Sequence, residues 1–209
     1  MKVFLSLLLL LSAPGALAAT AGAAAGPVEG RDYVRVEAGP WQPVDGKIEV
    51  VEVFAYTCPH CADFEPILSA WARKLPDDVS FRYLPAAFDP RDAYARGFFV
   101  AEQAGAVGRT HAALFQAIHQ DGLLARNATI NELAWFYGQH GLDQAKARAA
   151  MASPQVDALM RRAYDWARAN RLPGTPALVV DGRYLVTPRT HADALRIADE
   201  LIAQIRNTR

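Results

Sequence analysis

The chain has 209 residues, 22 of them basic and 22 acidic, so it carries no formal net charge. That balance excludes a nucleic acid or an anionic membrane as a partner held by bulk electrostatics. Only two cysteines are present, and both lie in one four-residue motif, so no disulfide staples distant segments of the chain.

Met1-Lys2 followed by the apolar run Val3 to Leu11 and by Ala16-Leu17-Ala18 predicts a signal peptide over 1–18, cut after Ala18. The apolar run is too short for a permanent membrane span. Residues 19–29 are rich in Ala and Gly and read as a flexible leader. Export to an oxidising compartment, the periplasm, is the expectation.

Tyr33-Val34-Arg35-Val36 alternates apolar and polar residues and predicts a short edge strand, broken by Gly39-Pro40. The β-branched and aromatic run from Ile48 to Tyr56 predicts a buried strand. Cys58-Pro59-His60-Cys61 follows, and then a helix to about Leu75, with Pro66 inside it expected to bend the axis. Val79 to Leu84 predicts a second strand, parallel to the first because a helix joins them. From Asp89 to Arg171 the texture changes to four or five Ala-rich amphipathic helices with no strand signal. Within it Thr129 and Glu132 have the spacing of a capping box. Strands resume at Thr175 to Val180, Asp181-Gly182 marks a hairpin, and Arg183 to Val186 returns antiparallel. Thr190 to Ile205 predicts a last helix. The sum is an α/β chain with a mixed sheet and helices on both faces, interrupted by a helical insertion.

The motif carries the chemistry. Its place between a strand and a helix puts Cys58 at a helix N-terminus, where unpaired N–H groups and the dipole favour negative charge on sulfur. The N–H groups of His60 and Cys61 are candidates to face that sulfur. His60 can add positive charge or donate a hydrogen bond to it. Pro59 has no N–H to lose and pre-sets the first helical turn. Cys61 falls within the first turn and is expected to be more buried and harder to ionise.

With the motif and the element order in place, the chain resembles the thioredoxin superfamily and, within it, the DsbA family of exported disulfide oxidases. Cys-Pro-His-Cys is the motif usual in that family, whereas thioredoxins usually carry Cys-Gly-Pro-Cys. The helical insertion is its second mark, and Gly174-Thr175-Pro176 matches the loop that holds a cis proline against the active site. The resemblance implies a thioredoxin-like domain over 30–88 and 172–209 and an inserted all-helical domain over 89–171. It implies an enzyme that passes a Cys58–Cys61 disulfide to newly exported unfolded proteins with free cysteines, through a mixed disulfide at Cys58. A DsbB-like, quinone-linked membrane protein would reoxidise it. Thr175 and Pro176 would contact an extended substrate segment. No cofactor or metal is expected, and the chain is expected to be a monomer.

Three positions leave alternatives open. Glu52 interrupts the apolar strand below the motif; it is either a buried acid that tunes Cys61 or a solvated strand residue, and Glu49 argues that the strand accepts acids. Glu65 matches a family acidic position but reads as a helix-surface carboxylate. Thr175 stands where DsbA-type oxidases commonly have valine, and threonine there recurs in isomerases of the superfamily. A disulfide isomerase or reductase is therefore the alternative activity, and a non-enzymatic periplasmic binding protein with an inert local disulfide is the alternative class. His111, His119, His140 and His191 read as surface or cap residues, with zinc binding by two of them and the cysteines disfavoured. Trp41, Trp71, Trp135 and Trp166 read as packing residues.

Overall fold

The structure, a computed structural model, describes residues 26–209; the expected signal peptide over 1–18 and the leader before Gly26 lie outside the described residues. Five strands form one sheet in the order β1-β5-β4-β2-β3. They are β1 (Tyr33–Arg35), β2 (Ile48–Phe54), β3 (Val79–Pro85), β4 (Ala177–Val180) and β5 (Tyr184–Val186). Helix α1 (Pro59–Ala72) crosses from β2 to β3, which run parallel. β4 pairs antiparallel with both β2 and β5, and β1 pairs antiparallel with β5. The sheet is mixed, as its hairpin and crossover signals require.

Every residue of β2 is buried, including its two acids, because a central strand is covered on both faces. Alternation sorts its side chains. Ile48 and Val50 pack with Phe64 and Leu68 of α1 and with Ile197, Leu201 and Ile205 of the C-terminal helix α7 (His191–Thr208). Val51 and Val53 pack on the other face with the helical block. That block comprises α2 (Ala93–Gln103), α3 (Val107–His119), α4 (Ile130–Gln139), α5 (Gln144–Met151) and α6 (Pro154–Ala169). Its ends carry their own caps: Asp92, Asp143 and Ser153 accept backbone N–H bonds, and Thr129 and Glu132 complete the capping box. Helix α1 runs through Pro66 without interruption.

A short loop locks the block to the sheet. Glu49 accepts the backbone N–H groups of Trp41 at 2.6 Å and Gln42 at 2.7 Å, with Arg82 at 3.6 Å. From α6, the Arg162 guanidinium lies 3.9 Å above the Trp41 ring and donates to the Trp41 carbonyl, while Trp166 donates to the Gly39 carbonyl at 2.9 Å. Gly182 closes the hairpin at φ +61°, and a Cβ there would fall 2.0 Å from the Gly39 carbonyl carbon, so only glycine fits. Of the four tryptophans, Trp41 and Trp166 do serve the packing role read for them, and Trp71 packs edge-on against Phe81. Trp135 corrects the reading: it is 40% exposed, because its neighbours Leu133, Ala134, Phe136 and Tyr137 take the buried face of α4.

Candidate active site

Cys58 is the N-cap of α1, extended at φ −81° and ψ 118°, with Pro59 at the first helical position. Its N–H donates to the Ala55 carbonyl at 3.0 Å, which turns the chain from β2 into the helix. Both cysteines are free thiols; Cys58 is half-buried and Cys61 is fully enclosed. The trailing sulfur thus sits inside the protein and the leading one at its surface, where the helix N-terminus favours negative charge. Burial pushes the Cys61 thiol far above the ordinary cysteine range, opposed by hydrogen bonds from the Ala55 backbone and Thr175 and reinforced by the nearby Glu52 carboxyl.

Thr175 and Pro176 are brought against this helix end, because β4 is the antiparallel neighbour of β2 and its first residues lie beside the end of β2 that leads to the motif. The Thr175–Pro176 bond is cis. The Cys58 thiol donates to the Thr175 carbonyl at 3.3 Å. The His60 side chain is exposed and makes no hydrogen bond among the described residues, so the bond to Cys58 anticipated for it is not formed here.

Glu52 is buried, which decides between its two readings in favour of the enclosed acid. Its side chain shares the face of β2 that carries Ile48 and Val50, toward α1. Burial raises its carboxyl well above the ordinary range, with Glu65 and Cys58 adding repulsion, and Oε2 has no hydrogen-bond partner among the described residues. Glu65 corrects the sequence reading: it is buried, not a surface carboxylate, and burial raises it too. It is enclosed because α1 packs against α3 on that side. Glu65, Tyr83 and His111 line a cleft between those helices.

His111 is the largest departure from the sequence reading. It is 3% exposed in an aromatic cage of Phe54, Tyr83, Phe98 and Phe115, and burial lowers it to about 3, so it is neutral. Its Nδ1 meets the Tyr56 hydroxyl at 2.8 Å. His119, two turns on, meets the Tyr56 carbonyl through Nε2 at 2.7 Å. Both histidines of α3 therefore hold the residue two places before Cys58. Their spacing of eight was the available signal; what it lacked was any indication that this face of α3 lies on the strand end. His140 caps α4 against the Phe136 carbonyl, and His191 opens α7 beside Phe64. Among the described residues no three His, Cys, Asp or Glu side chains gather as a metal site requires.

A family model described as thioredoxin matches residues 44–200. The thiol:disulfide interchange protein DsbA of Azotobacter vinelandii is 41% identical over 182 residues, covering 85% of this chain and 84% of that protein. The protein of the same name from Bordetella parapertussis is 37% identical and covers 94% of this chain and 96% of its own length. Among solved structures, the oxidoreductase DsbA from Xylella fastidiosa superposes with a TM-score of 0.83 at 42% identity, covering 87% of this chain and 98% of that one. A surface thiol at a helix N-terminus, an enclosed partner thiol one turn inside it and a cis proline alongside are what such relatives would need for thiol exchange, and the chain belongs to the DsbA family of thiol:disulfide interchange proteins, oxidoreductases of thioredoxin-like fold that act by dithiol–disulfide exchange.

Proposed function

We propose that the protein is a periplasmic disulfide donor, exported by its signal peptide, that oxidises newly exported unfolded proteins with free cysteines. The supporting observation is the contrast between a half-buried Cys58 at a helix N-terminus and a fully enclosed Cys61. A substrate thiolate attacks Cys58 of the Cys58–Cys61 disulfide; the new S–S bond forms as Cys61 leaves with the electron pair and takes up a proton. A second substrate thiolate attacks the substrate sulfur of the mixed disulfide, and Cys58 departs as thiolate. The substrate is oxidised by two electrons and the protein reduced by two. The N-terminus of α1 favours a thiolate at the half-buried Cys58 over one at the enclosed Cys61, so Cys58 is the sulfur suited to leave, which favours the reduced form and makes the disulfide an oxidant.

Thr175 and Pro176 hold the substrate segment beside Cys58, and Glu52 modulates proton movement at Cys61, the enclosed sulfur it lies near. Pro59 and His60 set the first turn and its charge. A DsbB-like, quinone-linked membrane protein returns the cysteine pair to the disulfide. The thioredoxin-like unit spans 30–88 and 172–209 and the helical insertion 89–171, and the protein acts as a monomer without cofactor.

The test is the equilibrium of the cysteine pair against glutathione. A potential well above that of the glutathione pool supports disulfide donation, and one near thioredoxin's supports the reductase or isomerase reading to which Thr175 points. The variant Cys61→Ala, loaded at Cys58 as its glutathione mixed disulfide, separates exchange from an inert disulfide: a reduced unfolded protein displaces glutathione as the leaving thiol and accumulates joined to Cys58 if Cys58 is the attacked sulfur, and the absence of such species leaves the binding-protein reading.

A further inference from the structure

Thr57, which precedes Cys58 in the chain, and Thr175, whose carbonyl accepts from the Cys58 thiol, share more than the cysteine. Both line a cavity of about 460 Å³ that runs away from the motif between the β3–α2 connection and the segment before α4. Phe88, at the head of that connection, is 51% exposed and forms one wall. A substrate segment joined to Cys58 and lying along Thr175–Pro176 would lie beside this opening, because Thr175 borders both.

The charges around the opening do not balance in effect. Asp89 is engaged by Arg91, through the Arg91 backbone N–H at 2.8 Å and its guanidinium at 3.3 Å. Asp92 caps α2, accepting the Tyr94 N–H at 2.9 Å, where the helix dipole compensates its charge. Arg126 has no such partner: it makes no hydrogen bond and no ion pair among the described residues, and it is exposed. Its place is nonetheless held, since the Tyr94 hydroxyl donates to the carbonyl of the preceding residue, Ala125, and the Thr129–Glu132 capping box fixes the chain three residues later. An uncompensated cation held at the mouth of a cavity beside the reactive sulfur is a recognition element for an anion.

We propose that this cavity is a specificity subsite, in which Arg126 receives an Asp or Glu side chain of the polypeptide captured at Cys58 while Phe88 covers the aliphatic stem next to it. The proposal rests on Cys58 exchanging disulfides with polypeptide thiols, as argued above. It adds a preference among client segments that the exchange chemistry alone does not contain.

The experiment uses the full oxidised protein and three synthetic peptides that differ only in a Glu, a Gln or a Lys placed three residues from a single cysteine, in versions on each side of it. Stopped-flow rates of Cys58–Cys61 reduction are compared between wild type, Arg126→Gln and Arg126→Glu. Taking the ratio of wild type to variant for each peptide removes the effect of the peptide's own charge on its thiol. On one side of the cysteine, the Glu peptide is expected to lose about threefold with Arg126→Glu and the Lys peptide to gain, with Arg126→Gln between, the size typical of one exposed charge contact. The differences collapse in about 1 M salt, where the Debye length falls to about 3 Å. Brisk exchange with the same ratio for all three peptides overturns the subsite and leaves the exchange activity standing. No exchange of any peptide with wild type overturns both.

Discussion

Glu49 and Glu52 stand three residues apart on one strand, both 2% exposed, and they do opposite things. Glu49 faces the helical block, where two backbone N–H groups and Arg82 answer its two oxygens. Glu52 faces α1, where Oε2 has no partner among the described residues, and burial, with Glu65 and Cys58 within electrostatic reach, raises its carboxyl well above the ordinary range. A buried carboxylate with all its bonds made is a structural joint; one left incomplete is a reservoir for a proton. Burial is common to both, so the partners decide the role.

The comparison can be broken first at Glu49. Glu49→Ala leaves the buried Trp41 amide and the half-buried Gln42 amide without their acceptor and frees the loop that α6 grips. A loss of about 3 kcal/mol in urea unfolding is expected, with thiol exchange retained by the folded fraction. An unchanged midpoint would mean that the loop is not held by this carboxylate.

His111 extends the contrast to a base, since its Nε2 is also buried without a partner among the described residues. Held neutral down to about 3, against about 6.5 for a free imidazole, it binds no proton in the folded state where the unfolded chain binds one. Its contribution to stability is therefore present above pH 6.5 and is lost as the pH falls from there toward 3. Between about pH 6 and 4.5 wild type should lose about 2 kcal/mol that His111→Phe does not lose, measured as the difference in slope of unfolding free energy against pH. Parallel slopes would show the ring solvated.

Glu52 has the opposite sign. Its raised carboxyl means that the unfolded chain releases a proton at a pH where the folded chain keeps it, so wild type loses stability as the pH rises past the ordinary carboxylate value. Glu52→Gln removes the titration and should gain on wild type from about pH 4.5 upward, by no more than about 1.4 kcal/mol per pH unit. The exchange rate of the variant should lose the corresponding inflection. A variant that weakens with rising pH relative to wild type would refute the assignment.

The smallest effect belongs to His119, whose single bond to the Tyr56 carbonyl lies between the two extremes. His119→Ala should cost about 1 kcal/mol and His119→Gln, which keeps a donor, less. Equal losses would place the effect in packing and not in the bond.

The element order and the motif were legible because local physics writes them. A β-branched and aromatic run marks the strand from Ile48, Val79 to Leu84 marks its parallel neighbour, Asp181-Gly182 marks the hairpin, and Thr129 with Glu132 marks a helix start. Cys58 and Cys61 were legible because the chain's two cysteines share one motif at a strand-to-helix junction, and Thr175–Pro176 only through the resemblance to the family's cis-proline loop. Glu65, His111 and Trp135 were misread for one reason: helical spacing tells which residues share a face, and says nothing of what that face meets. α1 meets α3, which encloses Glu65 and His111, while α4 turns Trp135 outward.

By itself, then, the order of residues determined a mixed sheet, a helical insertion and a pair of sulfurs at the start of a helix, since each of these follows from backbone periodicity, turn chemistry and the dipole of one helix. The depth of each sulfur, the fate of two similar acids on one strand, the grip of α3 on Tyr56 and the unpaired cation beside the motif were decided only when distant segments met. Those are desolvation and partnership effects, and they exist only between surfaces that the chain brings together by folding.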